Sequence, residues 1–416
     1  MTACAPRRAP LGYRLPVDPL HRRDFLRLGA TAVLGLAASD GGGGAQDEPR
    51  VRRRVRLGRT GLEIPDVGFG SSSLAGDEGV VRHALARGIT YFDTAESYRG
   101  GAAEETIGRA LRGRRDAVTL ATKTSCGAGT SRDALMRALE GSLRRLGTDR
   151  VEIYFNHAVN DAARLQNEEW YAFAERAKRE GKIRFTGMSG HGGRLVECLD
   201  HAFDHDLVDV VLVAHNFGQD PAFHERFTRT LDFVAVQPEL PRVLRKGREK
   251  GVGIVAMKTL RGGRLNDLGP YETPGGTFAQ AALRWVLASG LADALVVTME
   301  STQQVDEYLG ASGWTQLARG DFERLVAYER RRGATQCRYG CSSCQSACPA
   351  GAPIPDLLRA RMYAEDYGDV ALARQALAEA GPQAAACLSC SGTPCLGACP
   401  HGLPVSVLTR RAARLL

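Results

Sequence analysis

Eight short apolar runs, separated by stretches of helical periodicity, constrain this chain more than any other feature. They cover residues 66–70, 89–93, 118–123, 151–157, 183–189, 208–214, 252–257 and 294–298. Short apolar runs that do not alternate with polar residues suit strands buried on both faces. The gaps carry amphipathic helices: within 134–146, Leu135, Leu139, Leu143 and Leu146 fall on one helical face. Strands alternating with helices pair in parallel. Eight such units predict an α/β fold, a (β/α)8 TIM barrel, which takes roughly 250 residues. The alternative is an open doubly wound sheet, but no Gly-x-Gly-x-x-Gly turn follows the first run. A polar hairpin at 55–64, turning at Arg59-Thr60-Gly61, precedes the first unit, and residues 221–238 read as an insertion.

In such a barrel the chemistry gathers at the carboxyl ends of the strands. Asp93 ends the second run, Tyr98 lies in the loop after it, Lys123 ends the third run and His157 the fourth. The four would share one mouth. A phenol has an unperturbed pKa near ~10, too high for easy proton donation at neutral pH. A neighbouring ammonium lowers that value, and a carboxylate keeps the ammonium charged. An imidazole can orient a carbonyl oxygen. Such a group suits protonation of an oxygen while hydride reaches its carbon. Singly, each residue reads as an ordinary solvated strand-end group; together and in order they read as a site.

The segments that carry these residues resemble the aldo-keto reductases. Tyr91-Phe92-Asp93-Thr94-Ala95-Glu96-Ser97-Tyr98, with Glu104, Ile107, Gly108 and Leu111, is similar to that family's second strand and helix. Leu120-Ala121-Thr122-Lys123 is similar to its third strand, and Asp149 through His157 to its fourth. Gly181-Lys182-Ile183-Arg184 with Gly187-Met188-Ser189 resembles the fifth, and Gly251 through Lys258 the seventh. The resemblance covers roughly residues 51–312. It implies an oxidoreductase acting on a carbonyl or alcohol, with Tyr98 as acid, Lys123 as its tuner, and Asp93 and His157 completing the tetrad. It also implies a nicotinamide dinucleotide held by Ser189, Met257, Lys258, Leu260, Ser301, Gln304 and Glu307.

The chain departs from the family at the cofactor. Gly190 stands where the family has the Asn of a Ser-Asn pair, Leu212 where it has Gln, and Met257 where a Tyr often stacks. Glu300 and Ser301 occupy the place of the usual Arg or Lys, and Tyr308 that of a helical Asn. A carboxylate there repels a 2′-phosphate and suits a bare ribose hydroxyl. Both NADP and NAD therefore stay open.

Eight of the 11 cysteines fall between residues 337 and 399, in two quartets. These are Cys337-x3-Cys341-x2-Cys344-x3-Cys348-Pro349 and Cys387-x2-Cys390-x4-Cys395-x3-Cys399-Pro400. Both end alike, Cys-Pro-Ala-Gly-Ala-Pro353-Ile and Cys-Pro-His-Gly-Leu-Pro404-Val, an internal repeat separated by a helical spacer at 354–380. The quartets resemble bacterial dicluster ferredoxins, in which the fourth Cys of each run ligates the other cluster. That resemblance implies one [4Fe–4S] cluster on Cys337, Cys341, Cys344 and Cys399, and a second on Cys387, Cys390, Cys395 and Cys348. The spacings exceed the usual ones by one or two residues. Two Cys4 zinc sites or four disulfides are the alternatives. Cys4, Cys126 and Cys198 read as filler.

Residues 21–38 run His-Arg-Arg-Asp-Phe-Leu-Arg into a short apolar stretch, followed by Gly41 to Gly44. This layout resembles a twin-arginine export signal, a route for folded, cofactor-loaded proteins, and predicts a periplasmic location. An uncleaved signal would tether the protein to the membrane. The expected organisation is a signal and linker at 1–45, an aldo-keto reductase barrel at 46–318, and a small, mainly helical ferredoxin-like iron–sulfur domain at 319–416. No segment approaches the ~18–20 apolar residues of a spanning helix. A net charge of +8 without a basic stripe interleaved with aromatics argues against nucleic acid. The leading expectation is a carbonyl/alcohol oxidoreductase whose clusters relay electrons to a redox partner protein; the rival is a catalytically idle barrel in an electron carrier.

Overall fold

The computed structural model describes residues 48–191, 194–220, 223, 237–263, 268–273, 275–332, 337, 341, 343–366, 370–400 and 402–415. The signal-like head, and the insertion at 221–238 apart from Phe223, Gln237 and Pro238, lie outside the described residues.

Strands β1 (Arg54–Arg56) and β2 (Glu63–Pro65) form an antiparallel hairpin. Eight parallel strands follow: β3 (Val67–Gly70), β4 (Tyr91–Asp93), β5 (Thr119–Thr124), β6 (Val151–Asn156), β7 (Ile183–Gly190), β8 (Val210–Ala214), β9 (Gly253–Met257) and β10 (Ala294–Thr298). They close in sequence order, with β10 returning to β3 from Leu295↔Val67 to Thr298↔Gly70. This closure removes both sheet edges and excludes the open doubly wound sheet. The barrel interior packs Tyr91, Ile153, Phe155, Leu212, Val255 and Val296. Leu57, Leu62 and Ile64 of the hairpin join that core and plug the barrel. The approach is close enough to demand glycine at position 58, where φ is +49° and a Cβ would lie 2.4 Å from the Gly251 carbonyl oxygen.

The helices bury the faces their periodicity marks. Arg132–Leu146 starts at Ser131, whose hydroxyl accepts from the Ala134 N–H, and stops at Gly147 with φ 63°. Its Leu135, Leu139, Leu143 and Leu146 are all buried. Helix Arg319–Arg332 packs along Phe278–Ala288. There the buried Asp321 accepts from Arg284 at 3.2 Å and Arg324 at 3.1 Å, and Tyr328 stacks 4.3 Å from Phe278.

The tail builds a second, smaller core from helices Ile354–Arg361, Val370–Ala380, Ala386–Ser389 and Val405–Ala413. The sequence repeat has a structural counterpart. Gly351 and Gly402 adopt φ 63° and 64°, and donate to the Cys348 and Cys399 carbonyls at 3.1 and 3.2 Å. A proline at the N-cap then opens each helix, Pro353 before Ile354 and Pro404 before Val405. The two helices so launched pack on each other. Among the described residues, no helix is long and apolar enough to cross a membrane.

Candidate active site

Strand ends β4, β5 and β6 bring Asp93, Lys123 and His157 to the mouth, and the turn after β4 brings Tyr98 to them. Lys123 is fully buried, and its Nζ donates to Asp93 Oδ1 at 2.6 Å and to the Thr94 carbonyl at 2.5 Å. The ammonium faces the Tyr98 ring, 4.9 Å from its centroid. His157 meets the same ring edge-on, with centroids 5.7 Å apart. The four predicted side chains thus converge.

Burial would lower the Lys123 pKa, but Asp93 and Tyr98 outweigh it and the net shift is upward, so the side chain stays an ammonium. Burial also raises the Tyr98 pKa, and the opposing pull of Lys123 does not cancel it. This differs from the lowering expected from an adjacent ammonium alone, because desolvation of the phenolate is the larger effect. The phenol therefore keeps its proton at neutral pH. Burial first, then Lys123, Arg164 and Lys258, push His157 down to about 3, leaving it neutral.

Arg164 fixes the loop that carries His157. Its guanidinium donates to the carbonyls of Cys126, Ala158 and His157 at 2.7, 2.9 and 2.8 Å, and to Asn156 Oδ1 at 2.7 Å. Nothing in the sequence marked Arg164 or the Thr94 carbonyl. His191, just beyond β7, is pushed down to about 3 by burial, Lys258, His157 and Arg359.

The residues implied for the cofactor are spread around the same mouth. Ser189 is buried at the end of β7, and its hydroxyl accepts from the Ala158 N–H at 2.9 Å. A Cβ at Gly190 would come 2.6 Å from Leu195 Cδ1 and 3.1 Å from the Val159 carbonyl, so a side chain at the family's Asn position would have to shift Leu195. Leu212 belongs to the barrel interior, and Met257 packs against it. Leu260 is buried. Lys258 follows β9 with φ 55°. Solvent reaches its side chain, while surrounding protein and then Arg359 lower its pKa, as befits a group lining a cleft.

Ser301 caps helix Thr302–Leu309 by accepting from the Gln304 N–H at 3.2 Å, and Gln304 Oε1 accepts from the Glu300 N–H at 2.7 Å. Burial raises the Glu307 pKa despite a hydrogen bond from Thr277.

The family model for the aldo/keto reductase family matches residues 67–330. The chain belongs to the aldo/keto reductase family. It is an oxidoreductase. L-galactose dehydrogenase of Arabidopsis thaliana is 28% identical over 291 residues, covering 61% of this chain and 86% of that protein. An uncharacterized oxidoreductase of Bacillus subtilis is 32% identical over 234 residues, covering 50% and 67%. Among solved structures, an aldo/keto reductase from Klebsiella pneumoniae in complex with NADP and acetate matches with a TM-score of 0.52 and 25% identity, over 70% of this chain and 99% of that one.

In the tail of this aldo/keto reductase, Cys348, Cys387, Cys390 and Cys395 line one cavity, so the fourth Cys of the first quartet meets three of the second. Cys337 is influenced by Cys341, Cys344 and Cys399, while Cys344 is influenced by Cys399 and Cys341 and also by Cys395 of the other set. Burial pushes Cys337 up to about 12 and Cys344 up to about 11. All ten described cysteines are free thiols. Among the described residues no three of His, Cys, Asp or Glu converge tightly enough to hold a single metal ion. Arg359 of helix Ile354–Arg361 exerts its charge on Lys258 and His191 at the mouth and on Cys337 in the tail.

Proposed function

We propose that this aldo/keto reductase interconverts a carbonyl and an alcohol at the barrel mouth, and that two [4Fe–4S] clusters in its tail exchange electrons between that site and an external carrier. The observation that carries the chemistry is the Lys123 ammonium, buried between Asp93 Oδ1 (2.6 Å) and the Thr94 carbonyl and facing the Tyr98 ring.

A nicotinamide dinucleotide, when bound, supplies or accepts the hydride. The Klebsiella relative holds NADP. Ser189, Met257, Lys258, Leu260, Ser301, Gln304 and Glu307 are the residues that would hold it here, and Glu300 the one that disfavours a 2′-phosphate. In the reducing direction neutral His157 orients the carbonyl oxygen. Tyr98 gives its proton to that oxygen as the carbon gains hydride. Lys123 stabilises the phenolate left behind, and Asp93 keeps Lys123 charged without itself reaching the substrate.

The clusters would supply one-electron transfer. Cys337, Cys341, Cys344 and Cys399 would hold the first, and Cys387, Cys390, Cys395 and Cys348 the second. The crossed grouping of the free thiols and the matched Cys-Pro turns support this pairing. The Arg-Arg head supports export of the folded protein to the periplasm.

Tyr98→Phe tests the reading. The variant should keep its fold and its iron while kcat falls by about 10²–10⁴-fold. Anaerobic bleaching of the cluster absorbance by NADPH or NADH, assayed with substrate, reads both halves at once. Unchanged turnover in Tyr98→Phe would favour the idle-barrel electron carrier.

A further inference from the structure

Among the described residues, five large hydrophobic side chains stand more than a third exposed: Trp314, Val370, Leu388, Leu396 and Val407. Single exposed apolar residues are ordinary, but clustering marks an interaction surface. Three of the five, at 51%, 47% and 55% exposure, fall within residues 388–407. Leu388 adjoins Cys387 on helix Ala386–Ser389, and Leu396 adjoins Cys395 in the turn after it. Val407 lies on helix Val405–Ala413, which packs against Ala386–Ser389. The cavity these elements enclose is lined by Cys348, Cys387, Cys390 and Cys395, with Arg410 at its wall.

This stretch of chain is basic, with Glu365 of a neighbouring segment offsetting one of its arginines. Residues 381–415 hold Arg410, Arg411 and Arg414 and no carboxylate. Arg410 donates to the Cys390 carbonyl, Arg411 pairs with Glu365 at 2.7 Å, and Arg414 is exposed. We propose that this face is the docking surface for a small acidic one-electron carrier protein, which exchanges electrons with the group held by Cys348, Cys387, Cys390 and Cys395. The inference rests on the cluster reading above.

An apolar centre over the thiols brings the carrier's redox centre close, and the arginine rim steers an anionic partner onto it. Electron-transfer encounters are typically small and transient, as this patch is. In the step the carrier's reduced centre loses one electron and the cluster gains it, with no bond made or broken; the reverse holds for the other direction. A membrane surface suits the face less well. Val405, Leu408 and Ala412 of the nine-residue helix are buried inside the tail, leaving Val407 alone outside, whereas a surface-binding helix presents a whole apolar face.

The test uses purified holoprotein, kept anaerobic, and a reduced acidic plant-type [2Fe–2S] ferredoxin as the probe carrier. Stopped-flow absorbance gives the second-order rate of cluster reduction in the wild type, in Leu388→Ser with Val407→Ser, and in Arg414→Glu. The rate should fall by about tenfold or more in both variants, and the wild-type rate should fall steeply with salt. Dithionite should reduce all three alike. Arg414→Glu, remote from the cysteine turns, keeps the test open where the apolar pair loses its clusters. Equal rates in cluster-replete wild type and variants would overturn the docking surface. So would loss of binding to phosphatidylserine vesicles with carrier rates unchanged. Iron and sulfide analysis of the wild type stands apart: their absence overturns the cluster reading, and the docking surface with it.

Discussion

The barrel fixes its reactive groups on the ends of hydrogen-bonded strands, whereas the tail hangs its thiols on turns and on one short helix. At the barrel mouth, Lys123 is held by Asp93 and by the Thr94 carbonyl, and Arg164 ties the His157 loop at four acceptors. In the tail, eight of the fifteen buried core residues are Cys or Ala. A core so small in side-chain volume, in a segment of this length, contributes little by itself. The difference teaches that the barrel is a framework made before its chemistry, while the tail, on the cluster reading proposed above, would lean on a bound group for its own.

The strongest way to break that comparison is to strip the tail. The chain's three tryptophans, Trp170, Trp285 and Trp314, all lie in or beside the barrel, so their fluorescence follows the barrel alone. Chelation of iron should abolish the visible cluster absorbance, Cys387→Ser should remove the second cluster's share of it, and either should expose the tail to proteolysis after Arg410, while the tryptophan transition stays where it was. A barrel that melts together with the tail would show that the two are one cooperative unit.

A smaller effect sharpens the barrel side. Asp93→Asn keeps the shape of the side chain but leaves the fully buried Lys123 ammonium without its counter-charge. Breaking a buried pair in this way costs about 3–5 kcal/mol. Urea unfolding followed by tryptophan fluorescence should lose that much, and turnover should fall because Tyr98 loses a charged neighbour. A loss no larger than that of an exposed pair would mean Lys123 escapes to solvent or gives up its proton.

Most of this architecture was legible in the residues, and the exceptions have physical reasons. The eight runs could be read because strands buried on both faces must be apolar throughout; residues 294–298 match β10 (Ala294–Thr298) to the residue. Asp93, Tyr98, Lys123 and His157 could be read because strand ends fix their place. The Thr94 carbonyl could not, since every residue carries one and only the backbone path selects it. Arg164 was hidden because its partners are mostly carbonyls rather than side chains. The upward shift at Tyr98 was missed because a sequence shows which charges are near but not how deeply a ring is buried. Arg359 lies 101 positions beyond Lys258, and only the folded tail brings the two charges within reach of each other.

The smallest effect concerns protons, and it separates the regions once more. His215, at the end of β8, is 1% exposed; its Nε2 lies 3.3 Å from Ser289 Oγ, and its Nδ1 has no partner. Burial pushes it down to about 4. An unfolded histidine titrates near ~6.5, so between these values the unfolded chain binds a proton that the native barrel refuses. The stability from keeping His215 neutral is complete above the unfolded value and is lost as pH falls through the window toward 4. A drop from pH 6 to pH 5 should therefore cost the barrel roughly 1 kcal/mol through this residue. His157 and His191 act in the same direction. Tryptophan-monitored unfolding across that interval should show the decline, and His215→Gln should remove a share of the slope equal to about one proton. An unaltered slope in His215→Gln would assign the proton uptake to the two histidines at the mouth, where the tail's Arg359 also presses on His191.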